Sequence, residues 1–150
     1  MTRQRGFTLI ELIFSFAILG AVLASCFALS NRAFRQGQEA RSRVIAANLA
    51  QEQIEGLRNF RDNTIWAAFQ ANVPAGTGFH MDSTSSHWVP KSGSYNDPRL
   101  GGANVAIVGS YSPANEFNYS VTVTWPSASG PPFTTILYSK LVDIGGVRPK

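Results

Sequence analysis

The sequence predicts an α+β chain: one long N-terminal helix whose C-terminal half packs an apolar stripe on a small antiparallel β-sheet. Three observations carry this. An apolar run of 23 residues, Phe7–Leu29, opens the chain. The chain then continues without a proline into a segment whose apolar residues recur every three or four positions. Near the C-terminus, Phe117, Tyr119, Val121, Val123 and Trp125 alternate with Asn118, Ser120, Thr122 and Thr124, the period of a half-buried strand. A length of 150 residues allows one ordinary domain plus an extension. Charged residues are only 15%, and the deficit is local, since Glu11 and Cys26 are the only ionisable side chains between Phe7 and Leu29. An apolar run of this length in water would aggregate, which argues against a soluble cytosolic enzyme. A single cysteine excludes an internal disulfide, and a net charge of +4 is too small to imply nucleic acid.

As a helix, Phe7–Leu29 would span about 34 Å at ~1.5 Å per residue, enough to cross a hydrocarbon core of ~30 Å. Arg3 and Arg5 precede the run and favour a cytoplasmic N-terminus, but Arg32, Arg35, Arg41 and Arg43 follow it, so charge counting leaves the orientation open. Three readings fit an N-terminal apolar run: a cleaved secretory signal, a lipoprotein signal and a retained anchor. For the first, the run is long and no A-x-A-like site follows. For the second, Leu23-Ala24-Ser25-Cys26 is similar to a lipobox whose cysteine would be acylated, although Cys26 also reads simply as a small apolar helix residue. Glu11 favours the third. A carboxylate within such a run costs roughly 2.5–3.5 kcal/mol, from which a disposable signal gains nothing and a retained helix with a partner can.

Arg5-Gly6-Phe7-Thr8-Leu9-Ile10-Glu11-Leu12-Ile13 resembles the N-terminal signature of type IV pilins and pseudopilins. The resemblance implies a leader of residues 1–6, a prepilin peptidase cut between Gly6 and Phe7, and methylation of the new Phe7 amine. Loss of Arg3 and Arg5 would take the net charge from +4 to +2. It further implies that Glu11 forms an assembly charge pair with the Phe7 amine of a neighbouring subunit, and that residues 7–30 form a membrane and filament-core helix. A buried carboxylate needs such a partner. The expected location is the cytoplasmic (inner) membrane, crossed once, with the C-terminal domain outside and surface display after assembly. The expected partners are other pilin subunits, prepilin peptidase and an inner-membrane assembly platform, with no cofactor. Asn48-Leu49-Ala50-Gln51-Glu52-Gln53-Ile54-Glu55 is more similar to minor pilins and pseudopilins than to major pilins. The reading is therefore a minor pilin of a type IV pilus. The alternatives are a type II secretion pseudopilin and, from another class, a surface binding protein lipid-anchored through Cys26.

The rest of the chain, residues 31–150, reads as the globular head. Residues 31–61 continue the helix to about Arg61, with Val44, Ala47, Ala50, Ile54, Leu57 and Phe60 as its apolar stripe and Arg41, Arg43, Gln51, Glu52, Glu55 and Arg58 mostly off it. Gly20 and Gly37 fall inside this helix, and Gly37 is the expected soft point. The cluster Arg32, Arg35, Arg41 and Arg43 could touch lipid headgroups or nucleic acid, but reads first as a solvated or intersubunit face.

Residues 62–102 read as a loop region. From Gln70 to Gly102, 19 of 33 residues are Gly, Pro, Ser, Thr, Asn or Asp, which argues for turns, with one short strand at Trp88–Val89. His80, Asp82 and His87 lie there, at a spacing that fits no standard metal site. The sheet is expected over 103–145: Asn104–Val108 ended by Gly109, then Phe117–Trp125, then Phe133–Ile144. Pro126, Ser127, Ser129, Gly130, Pro131 and Pro132 form the turn of a hairpin between the last two. Phe117, Tyr119 and Trp125 should form an aromatic core face. No GxSxG, HExxH, glycine-rich phosphate loop or cysteine pair occurs, so no catalytic residue or metal site is assigned.

Overall fold

The structure is a computed structural model that describes residues 8–83, 87–112, 115–127 and 130–143. It divides into two compact units, Met1–Arg41 and Ser42–Lys150. Helix α1 (Leu9–Asp62) is 54 residues long and supplies the described residues of the first unit and the first element of the second. In the first unit every residue from Thr8 to Arg41 is exposed, including the apolar run to Leu29, a surface that suits lipid or other helices rather than water.

The second unit builds its core on the end of α1. Ala46, Leu49, Ala50, Gln53, Ile54, Gly56 and Leu57 are buried, while Gln51, Glu52, Glu55 and Arg58 face solvent. The stripe differs from expectation at its start, where Val44 is exposed and Ala46 takes the buried position. Phe60, half-buried, packs against the edge of this core.

Opposite the helix lies an antiparallel sheet of six strands: β1 (Phe79–Asp82), β2 (Val89–Ser92), β3 (Tyr95–Asp97), β4 (Ala103–Tyr111), β5 (Glu116–Trp125) and β6 (Phe133–Val142). Their order is β2-β1-β4-β5-β6, with β3 also pairing along β4. The hairpin is as expected: β5 and β6 pair from Trp125↔Phe133 to Glu116↔Val142. Phe117, Tyr119, Val121, Val123 and Trp125 all point into the core, at 5% exposure or less. Ile144, the expected end of β6, and Ser129 in the turn lie outside the described residues.

Two expectations are corrected. Residues 70–102 are not turns alone: this stretch holds the end of helix α2 (Trp66–Asn72), then β1, β2 and β3, and a 3-10 turn at Pro98–Leu100. Strands of three or four residues give too little alternation to stand out among turn formers; pairing fixes them, β1 and β3 along β4 and β2 along β1. Second, Gly109 does not end a strand. It sits within β4 opposite Tyr119, where a Cβ would strike the Phe117 ring and lie 2.9 Å from the Asn118 carbonyl oxygen. A strand glycine here marks close approach rather than termination.

Helix α2 carries the wedge between layers. Phe69, fully buried, stacks on Trp66 with ring centroids 5.0 Å apart and meets Phe117 edge-on at 5.8 Å. Tyr111 joins this cluster and donates its hydroxyl to the Val73 carbonyl at 3.1 Å, while burial pushes its pKa up to about 12. Gly56 lets Trp88 lie against α1; a Cβ there would come within 2.6 Å of the indole.

Candidate processing and assembly segment

The described part of the segment begins at Thr8, whose carbonyl accepts from the Glu11 N–H at 3.0 Å and the Leu12 N–H at 3.3 Å, opening α1. Glu11 therefore stands in the first helical turn, where the unpaired N–H groups favour a carboxylate by about 0.3–1 kcal/mol. The two serines that interrupt the apolar surface satisfy their hydroxyls within the helix: Ser15 donates to the Glu11 carbonyl and Ser25 to the Ala21 carbonyl, each at 2.8 Å. In lipid or between apolar helices, that internal pairing removes most of the cost of a hydroxyl. Glu11 is the one carboxylate of α1 ahead of Glu39, and it is exposed. Among the described residues, α1 is the helix long and apolar enough to cross a membrane by length and composition, and the qualifying stretch is unburied. Gly6 and Phe7, the expected cleavage and methylation residues, lie outside the described residues. Cys26 is an exposed helical residue with helix on both sides.

Residues 1–27 match the prokaryotic N-terminal methylation motif. No curated protein and no solved structure matches the chain. The methylation motif supports a type IV pilin-like prepilin signal, of the kind carried by pilin- or pseudopilin-type substrates of prepilin peptidase. It is a motif of structural subunits rather than of enzymes, and it implies assembly into filaments with other pilin subunits. With the apolar helix behind it, it also supports membrane anchoring followed by assembly at the surface. The long helix followed by a small antiparallel sheet is a pilin-like architecture.

In the head, His80, Asp82 and His87 are not gathered into a site. The His80 Nδ1 lies 3.0 Å from the Gly93 carbonyl and its ring stacks on Tyr95, while Asp82 pairs with Lys91. Among the described residues no three His, Cys, Asp or Glu side chains converge on a point a metal could occupy.

Two polar devices that sequence reasoning missed hold the head together. Gln53, buried on the helix stripe, donates through Nε2 to the Met81 carbonyl at 3.2 Å and accepts from the Met81 N–H at 2.7 Å, tying α1 to β1. Asp97, 1% exposed, accepts from the Arg99 backbone N–H at 2.8 Å and from its guanidinium at 2.7 and 3.0 Å. Arg99 in turn donates to Glu52 at 2.9 Å, so one guanidinium bridges the 3-10 turn and the helix. The hydrogen bonds from Arg99 hold the Asp97 carboxyl below its usual range, and the same contacts raise Arg99. The legible signal was Asp97-Pro98-Arg99: an Asp followed by Pro is a capping start for a helical turn. Glu52, His80, Trp88, Tyr95 and Arg99 line a cleft of about 140 Å³ beside this bridge.

Proposed function

We propose that the chain is a minor subunit of a type IV pilus, cut between Gly6 and Phe7, methylated at the Phe7 amine, and assembled through its apolar helix. The observation that carries this is a helix whose apolar surface is exposed among the described residues, opened by a methylation motif and carrying one carboxylate in its first turn. Burial of that surface, first in lipid and then against neighbouring helices, supplies the main driving force. Glu11 cannot enter an apolar filament core alone without cost, and the Phe7 amine of an adjacent subunit neutralises it. The pair therefore acts as a selection step: a subunit is accepted where its carboxylate meets a processed amine.

The test is incorporation in cells. Glu11→Val should insert into the membrane as the parent does but be lost from sheared filaments, because the substitution removes charge without shortening the apolar helix. Equal amounts of variant and parent in filaments would refute the pairing role.

A type II secretion pseudopilin is the second reading, favoured by the same Asn48–Glu55 segment that resembles both groups. Deletion of the gene separates the two. Fewer surface filaments support the pilus, whereas retention of secreted enzymes inside the cell supports the pseudopilin. Acylation at Cys26 predicts a diacylglyceryl mass on that residue, and a methylated phenylalanine at the N-terminus predicts none.

A further inference from the structure

Leu9–Leu29 is about 31 Å of helix at ~1.5 Å per residue, close to the ~30 Å thickness of a hydrocarbon core. That match sets the depth of the residues past Leu29. With Leu29 at the hydrocarbon edge, Arg32 stands about 5 Å further along the axis, at the level of the polar headgroups, and Arg35 about 9 Å, just past them. Helical side chains lean toward the helix N-terminus, so both guanidinium groups reach back toward the lipid and not away from it. Phe34, on another face of the helix, is 73% exposed, an apolar ring at the same depth. No acidic residue occurs from Leu12 to Gln38, and among the described residues neither guanidinium has an ion-pair partner. Arg41, about 18 Å past Leu29, stands beyond the headgroup layer.

We propose that Arg32 and Arg35, which share one helix face, form a headgroup clamp that binds the phosphates of anionic phospholipids at the end of the anchor away from Glu11. Arginine suits this role because its planar fork takes two phosphate oxygens at once. The clamp holds the subunit at a fixed depth in the bilayer, and entry into a filament must break it. The inference rests on the chain being anchored in a membrane.

The experiment uses the full chain in vesicles of mixed phosphatidylcholine and phosphatidylglycerol. It compares how much spin-labelled phosphatidylglycerol and spin-labelled phosphatidylcholine is immobilised beside the protein. The parent should prefer phosphatidylglycerol by about fivefold for each arginine engaged. The double variant Arg32→Gln/Arg35→Gln should bring the ratio near one, the matching lysine variant should keep most of the preference, and Arg41→Gln should leave it unchanged. No preference in the parent, a preference that survives the double glutamine variant, or equal loss with Arg41→Gln would overturn the clamp. An alkaline carbonate wash separates the two levels. Release of the chain from the vesicles defeats the anchor itself and the clamp with it, whereas a retained chain without lipid preference defeats the clamp alone.

Discussion

Gln53 occupies a position where the helix repeat asks for an apolar side chain, and it replaces apolar contact with two hydrogen bonds to the Met81 backbone. Gln53→Ala leaves that backbone N–H and carbonyl buried and unpaired, a loss of about 1–3 kcal/mol. Urea unfolding of the full chain in detergent, followed by the fluorescence of Trp66, Trp88 and Trp125, should show a lower midpoint; an unchanged midpoint would contradict this role for Gln53. Asp97 gives a pH signature. Its folded pKa lies below the unfolded value of about 3.9, so its contribution is complete above that value and is lost as pH falls through the folded one. Parent stability should therefore be insensitive to Asp97 from neutral pH down to about 4 and fall more steeply below it than that of Asp97→Asn. A stability gap between the two that narrows already between pH 7 and 5 would contradict this. Glu11, the carboxylate on which the assembly reading turns, was legible because a charge in an apolar run is conspicuous. Gln53 and Asp97 were not, because a polar residue on a partly polar helix and an Asp in a turn-rich stretch look ordinary until their partners, 28 and two residues away, are in place.

Among elements, α1 and β5 were read with little error, since both carry long, unbroken periods that local chemistry sets. The short strands β1 and β3 were read as turns, and β2 only as a short strand at Trp88–Val89, because their identity comes from pairing, which no local window contains. Gly109 misled for a related reason: the residue that requires it, Phe117, lies on the next strand. Gly56 is the comparable device on α1, where it admits the Trp88 indole against the helix backbone. Gly56→Ala gains intrinsic helix propensity of about 1 kcal/mol yet should still destabilise the head, since displacing an indole costs about 1–3 kcal/mol. In the background of Trp88→Ala the same substitution should become neutral or stabilising. A double-mutant cycle in urea checks this reversal of sign, and additive effects would show that the two residues do not meet.

For the whole molecule, two kinds of surface divide the work. The head from Ser42 onward closes its own core, with Phe69, Phe79, Phe117 and Leu57 fully buried. The helix before it leaves Leu9, Ile10, Phe14, Phe16 and Ile18 at least 63% exposed. An apolar surface of this size needs lipid or neighbouring helices to cover it, and the methylation motif at its start supports membrane anchoring followed by surface assembly. The central claim is that the apolar helix survives processing with a new, methylated N-terminus. The intact mass of the chain purified from membranes tests it most directly. The account predicts a chain that begins at Phe7 and is one methyl group heavier than its sequence, with Gly6→Leu keeping the six-residue leader. A mature chain that starts beyond Leu29, or one that carries lipid on Cys26, would contradict it.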